Sequence, residues 1–261
     1  MRFGIKILLF GLCMSSMPLS VSSQNVNKQR TTAKTGNKSG KTNARKSNNQ
    51  RLTTLAKAAN EAFEKKQYNR AISLMDDYKK EKQLPNYGYY MLTFSCLKTA
   101  QDERCIEYGK EWERAVPDSR DEECKAWIYA NIGVGCANLG RYEESNRYFM
   151  RSAELNKKNR QQYARDCESI GYNYWSLTQY DEARQWFERS ATEWMKAMKV
   201  SFDDVQAGKV EHLDLGRVLF DWAMAHYACG DTEEGNRVVK MAAKCRYGEA
   251  EQYCREHLEN Q

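Results

Sequence analysis

From Leu52 onward, apolar residues recur every three or four positions, as they do along one face of an amphipathic helix. In this part of the chain proline occurs only at Pro85 and Pro117, and most glycines fall where turns are expected. Alternating apolar and polar residues bounded by turn clusters, which would indicate strands, are not found. The pattern therefore predicts an all-α domain over residues 52–261.

Two segments of this domain repeat each other in register. Residues 129–149 and 167–187 each carry an Ile-Gly pair, a tyrosine at a turn, and an aromatic residue four positions after a small one. Small residues on both halves predict two antiparallel helices in close approach, with the aromatic ring filling the groove to the next hairpin. The matched residues are Ile132-Gly133 with Ile170-Gly171, Tyr142 with Tyr180, Ser145 with Ala183, and Phe149 with Phe187.

This pattern resembles the tetratricopeptide repeat, which has a Trp-x₂-Leu-Gly-x₂-Tyr helix followed by an Ala-x₃-Phe helix. Three weaker copies place the small second-helix residue at Ala71, Cys105 and Gly235. The resemblance implies a right-handed α-solenoid of about five hairpins. A polar helix over residues 249–260 is expected to cap its C-terminal end. Residues 196–213 are interpreted as an insertion before the fifth copy.

The resemblance also implies that the first helices line a concave groove that binds a peptide or a protein segment. Many residues on the matching face are aromatic, and rigid aromatic side chains are enriched among interface hot spots. Two alternatives stay open: these rings could belong to the core, or residues 196–213 could fold over the groove. The predicted groove residues are Asn60, Phe63, Tyr87, Tyr90, Phe94, Trp127, Val134, Tyr172, Trp175, Phe220, Met224 and Tyr227.

One subtype of the family is excluded. Members that grip the C-terminal carboxylates of chaperones use lysine, arginine and asparagine at five groove positions, where charge-assisted hydrogen bonds hold two carboxylates. Of the corresponding residues, only Asn60 matches. The others are Ala56, Phe94, Trp127 and Asn131.

The first 51 residues contain ten basic residues and no acidic one. Arg2 and Lys6 precede an uncharged apolar run at 7–17, and Val21 and Ser23 suit the small positions before a cleavage site. We therefore predict a signal peptide over residues 1–23, cleavage after Ser23, export to the periplasm or the extracellular space, and no transmembrane span in the mature chain. A mitochondrial presequence is the rival interpretation.

Residues 24–51 have a charge of +8 and a single large aliphatic residue, Val26, so we predict a disordered linker. This linker could be a simple spacer, or it could contact a polyanion such as an acidic lipid, glycan or nucleic acid. Residues 52–261 hold 31 basic and 35 acidic residues, a net charge of −4. That balance excludes a basic nucleic-acid-binding domain.

Eight cysteines follow the predicted cleavage site, and two interpretations of them stay open. Cys96 with Cys105, and Cys245 with Cys254, are each nine residues apart across a predicted turn and are candidate disulfides. Alternatively, cysteine replaces alanine as a small core residue. The other four are Cys124, Cys136, Cys167 and Cys229.

The sequence carries no catalytic motif that we recognise, and it contains only three histidines. Cys254 and His257 could form half of a zinc site, but no second pair has ligand spacing. His226 is predicted to lie in the core. We therefore expect no enzyme activity and no cofactor, and we predict an exported module that binds a protein or peptide. The alternative is an envelope- or polyanion-associated factor that acts through the basic tail, and the oligomeric state stays open.

Overall fold

Helical hairpins follow one another along the chain. The computed structural model describes residues 39–117 and 120–259, and these residues contain twelve helices and no strand. The helices are α1 (Ser39–Glu64), α2 (Tyr68–Glu81), α3 (Asn86–Lys98), α4 (Asp102–Ala115), α5 (Glu122–Asn138), α6 (Tyr142–Asn156), α7 (Arg160–Ser176), α8 (Tyr180–Met198), α9 (Phe202–Gln206), α10 (Leu213–Ala228), α11 (Thr232–Lys244) and α12 (Gly248–His257).

Close approach of the two helices in a hairpin depends on the predicted small residues. A methyl group on Gly171 would lie 2.6 Å from the ring of Phe187, and one on Gly133 would lie 3.0 Å from Phe149. The Ser145 hydroxyl donates a hydrogen bond of 2.7 Å to the Gly133 carbonyl across the same hairpin. A larger side chain at either glycine would force the helices apart.

The same turn closes every hairpin. One residue with positive φ follows each first helix, and the next amide donates to a carbonyl five residues earlier, as at Arg141 to Cys136 and Asp231 to His226. This left-handed turn satisfies carbonyls at the helix C-terminus. Its recurrence shows that all five hairpins share one geometry, including the three with degenerate sequences. The positive-φ residues are Lys66, Ala100, Gly140, Thr178 and Gly230.

Packing runs from each helix to its neighbours in the chain. Each second helix contacts the next first helix, so that the hairpins of α1–α8, α10 and α11 form a row that α12 extends. Two buried clusters fill the N-terminal and C-terminal parts of the row, and Ala130, Phe149 and Ile170 lie in a small cluster of their own. The predicted all-α solenoid of five hairpins with a C-terminal capping helix is confirmed.

The inserted residues 196–213 pack on the second-helix side of the solenoid. Within them, α9 lies against α11, where the Arg237 guanidinium lies 4.5 Å from the centre of the Phe202 ring. Val205 and Val210 are buried in the C-terminal cluster, and the Lys244 ammonium donates to the Gln206 carbonyl. These contacts hold the segment against the outer layer and away from the predicted groove.

Two predicted boundaries differ from the structure. Helix α1 begins at Ser39, so the predicted disordered linker is helical from residue 39 to residue 51. Once Leu52 is buried, the helix can propagate into a stretch that lacks proline, and the Arg51–Glu81 ion pair ties α1 to α2. The capping helix ends at His257. Residues 1–38, with the predicted signal peptide, lie outside the described residues.

The eight described cysteines are free thiols, and neither candidate disulfide is formed. Cys96, Cys105, Cys245 and Cys254 are buried among apolar side chains, and the Cys105 thiol donates to the Asn131 carbonyl at 3.4 Å. These residues take the place of small core residues, the second of the two interpretations. No helix in the described part of the chain has both the length and the apolar character needed to cross a bilayer.

Candidate functional site

The candidate site is the surface formed by α1, α3, α5, α7 and α10, which we call the first-helix face. All twelve predicted groove residues lie on these helices. Tyr90 and Phe94 are buried, each 9% exposed, whereas the other ten are partly exposed. The face therefore combines core rings with rings that keep surface for a partner.

Five rings at the N-terminal end of this face form one group, the N-terminal aromatic cluster: Phe63, Tyr68, Tyr87, Tyr90 and Phe94. Phe63 and Phe94 meet edge to face with their centroids 5.5 Å apart, and Tyr87 lies 5.7 Å from Tyr90. Tyr68, which begins α2, was not among the predicted residues, yet it lies 5.9 Å from Phe94. Burial raises the pKa of the Tyr90 hydroxyl. The mutual packing fixes these rings in place.

The predicted residues of α5 divide between surface and core. Trp127 packs against the N-terminal buried cluster while its side chain stays partly exposed. Val134 packs beside Phe149 and Ile170 in the small central cluster. Trp127 therefore keeps accessible surface, as Tyr129 on the same helix does, and Val134 contributes to the packing of the hairpins.

At the C-terminal end, the capping helix α12 packs against some of the predicted groove residues. Tyr253 of α12 lies 6.3 Å from Phe220 and 5.6 Å from Tyr227, ring centre to ring centre. The Tyr227 hydroxyl also donates to Asn236 at 2.7 Å. Both rings thus help to dock α12. Met224, one helical turn before Ala228, is partly exposed.

Between these ends lies a group of charged side chains that we call the Arg217 cluster: Arg165, Glu168, Asp214, Arg217 and Asp221. The Arg217 guanidinium pairs with both oxygens of Glu168, one of them at 3.2 Å, and reaches Asp214 at 3.3 Å. Arg165 lies 3.8 Å from Asp214. The cluster joins α7 to α10 through charge-assisted hydrogen bonds, which are stronger than neutral ones.

Asp221, another carboxyl of the cluster, is held by a hydrogen bond from a tyrosine. Its carboxylate accepts a hydrogen bond from the Tyr172 hydroxyl, and the Tyr172 ring rests on Phe187 with centroids 5.3 Å apart. Trp175, one turn further along α7, packs on Tyr180 at 5.0 Å. Tyr172 therefore positions Asp221, while Trp175 packs on the C-terminal buried cluster.

Burial sets the ionisation of the cluster. Glu168 is 4% exposed, and this burial raises the pKa of its carboxyl to about 7 although Arg217 lowers it. Burial also raises the pKa of Asp221 to about 8, and the neighbouring charge of Glu168 raises it further. The three carboxyls of the cluster face two guanidinium groups, and a pKa of about 8 keeps the Asp221 carboxyl mostly protonated at neutral pH, so the cluster then holds no unmatched negative charge.

This cluster is not apparent from the local sequence pattern. Charged residues on a helix are usually solvated, so Arg217 and Asp221 do not stand out by residue type alone. What could have drawn attention to them is their sequence context: they are the two charged residues within residues 215–225 of α10, a stretch that is otherwise apolar. Charges on an apolar helix face need partners, and here α7 supplies them.

A second buried carboxyl lies outside this face, between α6 and α7. Asp166 is 1% exposed and accepts hydrogen bonds from Ser152 and Asn156, both at 2.9 Å, and from Gln162 at 3.3 Å. Burial raises its pKa to about 7. Since its partners are neutral, this group stabilises the interface between two hairpins and carries no evident chemistry.

The remaining candidate residues do not converge on a reactive site. His226 is 3% exposed, as predicted for a core residue, and its Nδ1 lies 3.0 Å from Asp231. The His257 ring packs against Tyr253 at 4.5 Å. Within residues 39–117 and 120–259, no three histidine, cysteine or acidic side chains are grouped as metal ligands would be.

Comparison with known proteins places this geometry among helical repeats. Residues 128–159 and 167–192 match the family described as Tetratricopeptide repeat. A crystal structure of MamA protein superposes with a TM-score of 0.60 at 16% identity, over 80% of this chain and 97% of that one. BtubC (BKLC) from P. vanneervenii superposes with a TM-score of 0.58 at 18% identity, over 75% and 79%. No curated protein matches the chain. At these identities the structural similarity concerns the fold.

Proposed function

We propose that this chain, a solenoid that contains tetratricopeptide repeats, is an exported, non-catalytic module that binds a segment of a protein partner on its first-helix face. The observation that supports this proposal is the row of partly exposed aromatic side chains on the first-helix face. Trp127 and Trp175 pack on the two large buried clusters and still keep accessible surface on two successive first helices. Aromatic side chains bury large areas at little cost in conformational entropy.

Three further features support this proposal. The insertion packs against α11, so it leaves the first-helix face uncovered. The Arg217 cluster places charged and hydrogen-bonding groups beside the aromatic residues, which fits an interface with a polar component. Export rests on the basic start, the apolar run and the small residues before Ser23.

The binding proposal is tested by affinity capture with three forms of the protein. Trp127→Ala combined with Trp175→Ala removes the two available rings, while Trp186→Ala removes a partly exposed tryptophan from α8 in the outer layer. We expect the double variant to lose the partners captured by the unchanged protein, and the Trp186 variant to retain them. Circular dichroism at 222 nm verifies that all three are helical. Equal capture by the double variant would refute the proposal.

Export is tested separately by the mass of the mature protein. Cleavage after Ser23 predicts a chain that begins at Gln24, whereas a full-length mass in the cytosolic fraction would refute it. Deleting residues 24–38 tests the alternative function through the basic tail, since this deletion leaves helix α1 intact. Loss of all partner or envelope binding on this deletion would favour that alternative.

A further inference from the structure

Helix α10 has a histidine as its N-terminal cap. The backbone amide of Leu215 donates a hydrogen bond of 3.3 Å to Nδ1 of His212, the residue just before the helix. Such a bond satisfies one of the amides that have no partner inside the helix. The other side-chain caps among the described helices accept through oxygen, and they are Asp121 of α5, Asn159 of α7, Ser201 of α9 and Asp231 of α11.

Accepting this hydrogen bond fixes the protonation of the ring. A neutral imidazole carries its proton on one nitrogen and accepts through the other, whereas an imidazolium donates from both. Because Nδ1 of His212 accepts from the Leu215 amide, the ring is neutral and its proton lies on Nε2. Histidine is the side chain that commonly gains a charge between about pH 8 and pH 5. Protonation of His212 would therefore remove the cap.

An imidazolium would also be unfavourable at this position. The N-terminus of a helix carries a partial positive charge, which repels a cation. The His212 ring packs on the buried Trp194 ring of α8, with the ring centres 5.3 Å apart. The Arg165 guanidinium of α7 lies 5.5 Å from the centre of the Trp194 ring. A cation is therefore already close to this end of α10.

The carboxylates next to His212 in the chain are paired with arginines. Asp214 lies 3.3 Å from Arg217 and 3.8 Å from Arg165. Glu211 lies 3.3 Å from Arg246. A protonated His212 would have to compete with these guanidinium groups for a counter-ion, so the neighbouring charges do not compensate for the lost cap.

The segment between α11 and α12 packs against the same end of α10. A methyl group on Gly216 would lie 2.8 Å from Cβ of Tyr247 and 3.0 Å from Cβ of Cys245. Burial raises the pKa of the Cys245 thiol to about 11, so this group stays neutral near pH 7. Arg246 also lies 4.0 Å from Glu251 of α12. This close packing anchors α10 from Gly216 onward, whereas the residues before it depend more on the cap.

We propose that His212 is a proton-sensitive cap, whose protonation breaks the hydrogen bond from Leu215 and frees the first turn of α10. Leu213 in this turn is 66% exposed, so little packing holds it. Asp214 in the same turn contacts both arginines of the Arg217 cluster. Acidification should therefore loosen the contact between α7 and α10 at one edge of the first-helix face. The switch lies within the fold and does not depend on a bound partner.

The test is amide hydrogen exchange measured by NMR on the full chain at about pH 7.5 and pH 5, with correction for the intrinsic rate at each pH. In the unchanged protein, the protection factor of the Leu215 amide should fall about fivefold on acidification, as expected for the loss of a capping hydrogen bond. His212→Asn supplies a cap without a titrating group, so Leu215 should stay protected at both pH values. His212→Ala should leave it poorly protected at both.

The asparagine variant also separates His212 from other groups that titrate. Burial raises the pKa of three carboxyls of α7 and α10 into the same pH range, and the variant retains all three. These carboxyls are Asp166, Glu168 and Asp221. Within the same spectra the amide of Gln162, which donates to Asn159 at 3.3 Å, is a matched cap that should not respond to pH. His257→Asn, a change of another partly exposed histidine, should leave the response of Leu215 unchanged.

The nitrogen chemical shifts of the His212 ring give an independent readout. They should show a proton on Nε2 alone at about pH 7.5, and a second proton on Nδ1 that arrives as the protection of Leu215 falls. Equal protection of Leu215 at the two pH values in the unchanged protein would overturn the inference. So would an equal loss of protection in His212→Asn, or a proton on Nδ1 at about pH 7.5.

Discussion

Asp166 offers a test of how burial affects the stability of the solenoid. Its carboxyl is 1% exposed, and its partners Ser152, Asn156 and Gln162 carry no charge. Burial raises its pKa from 3.8 to about 7. Between these two values the folded state holds a proton that the unfolded state has lost. The free energy of unfolding must therefore fall as the pH rises through this range, and it should level off above about pH 7.

The size of the effect follows from the shift. One pKa unit corresponds to about 1.4 kcal/mol, so a shift of about three units corresponds to about 4 kcal/mol. Local relaxation around the charge reduces this figure, and we expect about 2–4 kcal/mol. Asp166→Asn cannot titrate and keeps a carbonyl acceptor. The stability of the unchanged protein relative to this variant should therefore decrease by that amount between about pH 4 and pH 7.5.

The assay is urea unfolding followed by circular dichroism at 222 nm at several pH values. Glu143→Gln, which removes an exposed carboxyl from α6, controls for the loss of one acidic side chain. A difference between the Asp166 variant and the unchanged protein that stays constant over this range would refute the reasoning. It would mean that the three hydrogen bonds keep Asp166 ionised at acidic pH despite its burial.

Three other outcomes are expected. Gly171→Ala places a methyl group 2.6 Å from Phe187 and should lower the free energy of unfolding by about 1–3 kcal/mol in urea titrations. Arg217→Met leaves the buried Glu168 without its cation and should cost about 3–5 kcal/mol at pH 8, and less at pH 5, where Glu168 takes up a proton. Cys229, the exposed cysteine among the eight described, should react first with a maleimide, as peptide mass mapping would show.

Each of these predictions has its own control. Gly248→Ala meets no atom within 4 Å, so a loss as large as that of Gly171→Ala would contradict the steric argument. Glu168→Leu combined with Arg217→Met should recover most of the stability lost by the single change, and failure to recover it would argue against an unpaired charge as the cause. Equal labelling rates at Cys229 and at the buried Cys136 would show that the hairpins open faster than the thiols react.

The repeat register could be predicted from the sequence because it depends on local sterics. Gly133 faces Phe149 and Gly171 faces Phe187 across a hairpin, and this pairing of a glycine with an aromatic residue recurs in the sequence. The turns were harder to see. Lys66, Ala100 and Thr178 adopt positive φ without being glycine, because the packing of the two helices imposes the turn.

The candidate site was predictable only in part, since its chemistry depends on pairs distant in sequence. Glu168 and Arg217 are separated by the whole of α8 and the insertion, and the local sequence around either residue does not indicate that the other is its ion-pair partner. Phe220 and Tyr227 are among the predicted groove residues, yet Tyr253 on α12 covers part of the surface of both rings. Which aromatic rings remain available is decided by helix-to-helix packing, and that packing is not visible in local periodicity.

Contacts between neighbouring helices, most of them successive along the chain, hold the solenoid together hairpin by hairpin. Two adjacent interfaces contain buried carboxyls: Asp166 lies between α6 and α7, and Glu168, paired with Arg217, lies between α7 and α10. A change in the protonation of these carboxyls therefore acts on the contacts that join α6, α7 and α10. Because each hairpin is held by its neighbours, the loss of one of these contacts is expected to affect mainly the hairpins on either side of it.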